Sequence, residues 1–276
     1  MIVKDFQPSA VLKEYISQYR FRHFVFGDGI FPTVKPFPPR PEQCLTFYVR
    51  GTETARYVHT GLEITKPRCV ISGQFTQRVD RVVSYPEILM IIVDFKPGAL
   101  HRLTGIPFTE FNNKDIDAET VLPAEIKRVN ERLNSTGSYS EMLSMLESYF
   151  TGLAAHAKKD FSPLDPLFTL TAKEPGHSID WLARNAYLSP RQLERKFDER
   201  IGINPKTYLR ICRFNRSYWM HLKNIHVNWF ELAMSCGYTD YQHLAKEYKL
   251  FAGNTPNNFF LEESKSPGRM LGLNKY

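Results

Sequence analysis

Cysteine is sparse in this 276-residue chain: Cys44, Cys69, Cys212 and Cys236 lie far apart, and none forms a Cys-x-x-Cys pair. That spacing argues against a zinc cage and predicts reduced, packed thiols. Long apolar runs are missing too. The longest aliphatic run, ILMIIV at 88–93, is too short to cross a bilayer, and the opening MIVKDFQPSAVLKEY lacks the apolar segment of a secretory signal. We therefore expect a cytoplasmic protein with no membrane partner. His23, His59 and His101 are scattered with no His-x-His pair, which speaks against a cupin-type metalloenzyme. There is no Gly-x-Ser-x-Gly, and Cys69 and Cys236 have no partner base in the sequence. No catalytic residue, metal ligand or cofactor is expected, and the chain does not read as an enzyme.

What is present is positive charge, unevenly placed. The formal net charge is +7. Residues 174–226 hold 10 basic and 5 acidic side chains, whereas residues 227–276 hold 5 of each. A concentrated positive field suits a polyanion, although a modest excess also occurs on plain solvated surfaces.

The first 120 residues read as strands: FRHFVFG (21–27), CLTFYVRG (44–51), ARYVHTG (55–61), RCVISG (68–73), QRVDRVVSY (77–85) and EILMIIVDF (87–95). They are short, rich in aromatic and β-branched residues, and punctuated by Gly and Pro, as in a sandwich or barrel. The proline-rich PFPPRP at 36–41 cannot pair as an internal strand and predicts a loop or an edge crossing. From Leu122 the period changes to that of helices, with Ile126, Val129 and Leu133 on one and Met142, Leu146 and Phe150 on the next. These two helices either pack on the β-domain or form a dimer seam. The charged, proline-containing KKDFSPLDP at 158–166 predicts a hinge.

The C-terminal part contains an internal duplication. Leu182-Ala183 matches Leu232-Ala233 at an offset of 50; beyond a one-residue insertion the offset is 51, pairing Leu193 with Leu244, Phe197 with Tyr248, Gly202 with Gly253 and Pro205 with Pro256. Each unit has the plan of a helix-turn-helix: a short helix opening on Leu-Ala, a tight turn, a second helix, then a glycine with a proline three residues on as the stop, Gly-Ile-Asn-Pro in the first and Gly-Asn-Thr-Pro in the second. In the first unit Ser189 is the expected N-cap, Pro190 takes the first helical position, and Gln192 completes a capping box. In the second, Asp240 or Thr239 can cap.

At 100° per residue, Leu193, Phe197 and Ile201 form one side of the first unit's second helix, while Arg191, Glu194, Arg195 and Asp198 point away from it. Gln242, Ala245, Lys246 and Lys249 are the outward counterparts in the second unit. Such side chains can address base edges in a major groove: arginine grips guanine, glutamine suits adenine, and glutamate accepts from cytosine. Between the units, residues 205–224 read as one helix with Tyr208, Ile211, Phe214, Tyr218 and Leu222 inward. That spacer would hold the two readers about one duplex turn, ~34 Å, apart. Arg213 lies beside its apolar seam and is expected in a structural ion pair.

Residues 178–260 resemble the DNA-binding domain of AraC/XylS-type transcriptional regulators. The resemblance rests on LARNAYLSPRQLERKF with GINPKTYL in the first half and ELAMSCGYTDYQHLAKEYKLFAGNTP in the second. It implies a bacterial transcription regulator, usually an activator that contacts RNA polymerase, with recognition helices at 190–200 and 240–250. The candidate DNA-binding residues are Arg191, Gln192, Glu194 and Arg195 in the first unit, and Gln242, His243, Lys246 and Lys249 in the second. Where relatives commonly carry arginine, Lys246 offers a point charge in place of a planar fork. The β-domain is similar to the cupin-like sensor domains found ahead of this module. The expected fold class is thus α+β: a cupin-like barrel or sandwich with two flanking helices (1–160), a linker (161–173), and an all-α double helix-turn-helix domain (174–276). Expected partners are double-stranded DNA, a small-molecule effector and a second copy of the chain. The rival reading is a nonspecific or architectural DNA-binding protein, which would contact phosphates alone.

Overall fold

The computed structural model describes residues 2–26, 33–157, 161–174 and 176–266. Gly27, residues 158–160 of the expected hinge, and the last ten residues of the expected C-terminal domain lie outside them. Ten strands come first: β1 (Ile2–Phe6), β2 (Ile16–Val25), β3 (Thr33–Lys35), β4 (Gln43–Arg50), β5 (Thr54–Tyr57), β6 (Leu62–Thr65), β7 (Cys69–Ser72), β8 (Val79–Val83), β9 (Glu87–Phe95) and β10 (Asp115–Asp117). They form a six-stranded sheet, β1-β2-β9-β4-β7-β10, and a four-stranded sheet, β3-β8-β5-β6. All the pairings are antiparallel. The two sheets stack as a sandwich and do not close into a barrel. The expected strands are present, and the proline-rich stretch at 36–41 is irregular, carrying the chain from β3 in one sheet to β4 in the other. The short strands β1, β3, β6 and β10 were not legible, because their alternation runs over too few residues to stand out.

Covering explains the burial of the central strands. In β9, every residue after Glu87 is buried, and in β4 every residue before Arg50. Such runs require both faces of a sheet to be covered. One face of the large sheet lies under α1 (Ala99–Thr104), α2 (Ala118–Val121), α3 (Glu125–Ser135) and α4 (Tyr139–His156), whose Leu100, Ile126, Leu133, Met142, Leu146 and Phe150 share a core with Tyr19, Phe21, Phe47 and Ile91. The other face looks onto the small sheet. Alternation along β2 therefore sends Tyr19 and Phe21 to the helices, and Arg20, Arg22 and Phe24 to the space between the sheets.

The C-terminal domain is helical: α5 (Leu164–Lys173), α6 (Ile179–Asn185), α7 (Pro190–Ile201), α8 (Pro205–Lys223), α9 (Trp229–Ser235), α10 (Tyr241–Ala252) and α11 (Pro256–Glu263). One core unites Leu193, Phe197, Tyr208, Ile211, Phe214, Tyr218, Leu244, Tyr248 and Phe259. The stretch expected to link the domains differs from that expectation. Residues 164–173 are helix α5, and Leu164 and Phe168 are fully buried in this core, with Phe168 edge-on to Phe197 at 4.9 Å. Two prolines near its start suggested a hinge, but Pro163 precedes the helix and Pro166 sits within its first turn, where a missing donor costs nothing.

Candidate nucleic-acid interface

Local capping fixes where α7 and α10 begin. The Ser189 hydroxyl accepts from the Gln192 amide, and the Gln192 side chain accepts from the Ser189 amide at 2.9 Å, closing the expected capping box. In the second unit Asp240, not Thr239, is the cap, its carboxylate accepting from the His243 amide at 2.7 Å. Gly202 and Gly253 end the two helices in the left-handed region, at φ 88° and 72°. The turns agree as well: Gly237 in the second unit has φ 77°, and its counterpart Tyr187 adopts the same conformation at φ 55°. For a bulky side chain that backbone is strained.

On α7, Leu193, Phe197 and Ile201 are buried, while Arg191, Gln192, Glu194, Arg195 and Asp198 are exposed. Neither Arg191 nor Arg195 is packed against the β-domain. Arg195 lies 4.0 Å from Glu199 one turn on, a loose surface pair that leaves the guanidinium 68% exposed. Partial burial, followed by the Glu194 carboxylate, raises Asp198 above the usual carboxylate range. Gln192 is exposed, yet its carbonyl is engaged in the capping box, leaving its amide outward.

On α10, Gln242, Lys246 and Lys249 are exposed. Two residues depart from the outward set. Ala245, expected to face away, is buried at 8% exposure because α10 packs on both α8 and α9. His243 is half-buried, with Nδ1 3.2 Å from the Thr239 hydroxyl and Nε2 3.4 Å from Arg213. Glu247, the next residue on that side, is 2% exposed and accepts from Arg210 at 2.9 Å and Arg213 at 2.7 Å. Arg213 thus takes the structural pairing expected of it, and Arg210 joins it, so α8 offers fewer outward cations than its sequence suggests.

Sequence reasoning missed the back of the readers. Arg200, counted only as one of the segment's cations, is fully buried and donates to Asp165 at 2.8 Å. Its carbonyl accepts from the Gln43 side chain at 2.7 Å, and Gln43 also accepts from the Gly98 amide at 2.9 Å. At the end of the other reader, the Ala252 carbonyl accepts from Arg78 at 3.1 Å, and Arg78 also pairs with Glu262 at 2.6 Å. The C-terminal ends of α7 and α10 thus each accept a hydrogen bond from a side chain of the β-domain. Position 200 follows the Leu193–Phe197 stripe closely enough to have suggested burial; nothing local marks Gln43 or Arg78.

Among the described residues, no group of three or more His, Cys, Asp or Glu side chains is placed to hold a metal ion. His23 bridges Tyr139 and Glu87, each at 2.7 Å, and His101 contacts the Ile106 carbonyl at 3.0 Å. No described helix is long and apolar enough to cross a membrane.

Residues 182–261 match a helix-turn-helix domain family, from within α6 to within α11, so the match spans both units. Residues 4–117, most of the sandwich, match a domain of unknown function, DUF6597. No curated protein matches the chain. Among solved structures, the chain is similar to ToxT from Vibrio cholerae in its P21 form, at 9% identity and TM-score 0.48, covering 89% of this chain and 98% of that one. ToxT from Vibrio cholerae O395 is similar at 10% identity and TM-score 0.48, covering 91% and 99%. The AraC-like transcriptional activator CuxR is similar at 12% identity and TM-score 0.24, covering 78% and 86%.

Proposed function

We propose that this chain is a DNA-binding transcription regulator of AraC type that reads a specific duplex sequence with α7 and α10 in successive major grooves; the match of residues 182–261 to a helix-turn-helix domain family supports the DNA-binding part of this reading. The observation that carries this reading is the two-sidedness of α7. One side is locked in the core by Leu193, Phe197 and Ile201, and the other presents Arg191, Glu194 and Arg195 from a firmly capped N-terminal half. Residues that are rigidly held yet exposed are suited to discriminate bases, because little order has to be purchased on binding. The 19 residues of α8 span ~28 Å at 1.5 Å each, close to one turn of B-form duplex.

The second unit supports looser reading. Gln242, Lys246 and Lys249 are exposed, but its segment carries no net charge and His243 is turned toward Arg213. Lys246 and Lys249 suit phosphate positioning, with Gln242 the base contact. A homodimer through α3 and α4 belongs to the same reading: Val129, Tyr149 and Leu153 line an open groove between those helices. So do an effector bound in the β-domain and activation through RNA polymerase, which the resemblance to AraC/XylS regulators supports.

Selection of bound fragments from a random DNA pool, followed by footprinting at moderate salt, tests the central claim. Two half-sites a helical turn apart are expected. The Arg195→Ala variant should lose ~1–3 kcal/mol of specific affinity and relax the preference at one base position. A loss equal across all sequences would make Arg195 a phosphate contact, and affinity that ignores sequence and collapses with salt would mark the architectural alternative.

A further inference from the structure

The two helix-turn-helix units repeat in sequence but are not fastened alike. At the offset of 51 that pairs Leu193 with Leu244, Gln192 corresponds to His243 and Lys196 to Glu247. In the first unit Gln192 turns back to close its own capping box, and Lys196 pairs within α7 with Glu199 at 3.4 Å. In the second unit both positions turn to Arg213 on α8 instead. The Arg213 Nη2 donates to Glu247 at 2.7 Å and lies 3.4 Å from the His243 Nε2. Its Nη1 donates to the Gly237 carbonyl at 3.4 Å, and its guanidinium sits 4.5 Å from the centre of the Tyr238 ring. One side chain of the connecting helix thus touches the tight turn and the first two turns of α10. Arg210, one turn earlier on α8, donates to the same Glu247 oxygen at 2.9 Å and lies 5.4 Å from the Phe251 ring near the end of α10.

Core packing does not require this arrangement. The first unit buries Leu193 and Phe197 with a lysine at the place of Glu247, so the shared core forms without the carboxylate. Desolvation of both groups offsets most of the attraction in a buried ion pair, so its contribution is better sought in orientation than in stability. Burial, followed by the Glu247 carboxylate, raises the Tyr238 phenol above its ordinary range, which keeps it protonated beside the acid. The anchored positions also have leverage. His243 and Glu247 are four residues apart and share one side of α10, and pinning that side fixes the rotation of the helix about its own axis. Gln242 and Lys246, which are exposed, each directly precede an anchored residue, so their direction follows from the same constraint.

We propose that Arg213 is the positioning residue of α10: with Glu247 it fixes the rotation and tilt of that helix on α8, and so sets the spacing from α7 at which Gln242 and Lys246 meet a duplex. The consequence for DNA rests on the DNA-binding reading, whereas the clamp itself can be measured without DNA. Two linked binding units raise each other's effective concentration only where their separation matches the target. A loosened α10 therefore loses affinity at the matched spacing and gains tolerance for others. Arg213 touches no base in this arrangement; it acts through α10.

Distances between spin labels test the clamp on the full chain, with Asp198→Cys and Lys249→Cys as exposed attachment points on α7 and α10, the four native cysteines being buried. Arg213→Gln should broaden the distribution of label distances. Arg213→Lys keeps a charge for Glu247 but cannot span to Gly237 and His243 as well, and should broaden it less. Circular dichroism and Tm establish that the variants fold; where Arg213→Gln does not, the lysine variant carries the test. On DNA, affinity is compared among duplexes with both selected half-sites at the selected spacing, with that spacing shifted by half a turn, and with the first half-site alone. Arg213→Gln should bind the matched duplex about fivefold or more weakly, bind the first half-site alone as the parent does, and lose most of the parent's preference between spacings. A distribution as narrow as the parent's in both variants overturns the proposal, as does an unchanged spacing preference or an equal loss on all three duplexes. A parent without sequence preference sinks the regulator reading and leaves the clamp, which the label distances still decide.

Discussion

His221 shows how much one side chain's surroundings decide. Its ring is 8% exposed, stacked on Trp229 at 4.3 Å and lying 4.1 Å from Phe260, and its Nδ1 has no partner among the described residues. Burial lowers its pKa, so the folded state resists protonation more than the unfolded chain does. A group depressed on folding contributes stability that is present above its unfolded value, ~6.5, and is lost as pH falls toward the folded value. Thermal melts should therefore show Tm dropping between pH 7 and 5, and His221→Phe should flatten part of that drop; an unchanged slope in the variant would assign the acid sensitivity elsewhere. Glu247 makes the same point with charge. From the sequence it is one more acidic residue on an amphipathic helix, but at 2% exposure between Arg210 and Arg213 it anchors α10 to α8. Breaking such a buried pair is costly because it leaves a charge uncompensated. Arg191 and Arg195 were legible because exposure on a helix follows from its period. The commitments of His243 and Gln192 were less so, since each depends on which neighbour a turn happens to present.

At the scale of elements, α7 is bounded by chemistry that the sequence states openly. Ser189, Pro190 and Gln192 start it and Gly202 stops it. The stop has a second constraint that only the fold reveals. A Cβ built on Gly202 would lie 2.7 Å from the Phe108 carbonyl oxygen, in the 3-10 turn Phe108–Phe111 of the β-domain. Gly202→Ala should therefore cost both the left-handed backbone strain and a clash with main chain, together ~2–4 kcal/mol, read as a lower denaturation midpoint. The equivalent change at Gly253, where the nearest atom is an arginine side-chain carbon at 3.9 Å, should cost only the strain, ~1–2 kcal/mol. Equal losses at the two sites would mean that the contact with Phe108 is not maintained in solution. The pair of units was readable because apolar spacing, caps and stops repeat together. Helix α5 was hidden by its prolines and by a burial that arises from contact with α8.

Across the whole molecule, the sandwich contacts α7 and α10 at their C-terminal ends, leaving Arg191 and Arg195 of the one and Gln242 and Lys246 of the other exposed. Gln43 and Arg78 make those two contacts from different strands. Replacing both with alanine should loosen α7 and α10 relative to each other without touching an outward side chain of either helix. Affinity for a duplex carrying two half-sites at the natural spacing should change several-fold, and tolerance for altered spacing should widen. A double variant with the parent's spacing preference would show that α8 alone sets the geometry.

The sequence alone set the class of each half, the duplication, and the outward placement of Arg191 and Arg195 on α7. All of these follow from local period, capping and composition, which act over a few residues. Tertiary structure alone decided that the sheets form an open sandwich, that α5 belongs to the C-terminal core, and that Arg200, Arg213 and Glu247 are structural. It also brought the Arg40 and Arg81 guanidiniums over one ring, that of Phe37. Those outcomes depend on residues up to 184 positions apart, such as Arg78 and Glu262, meeting in space, and no local pattern encodes that meeting.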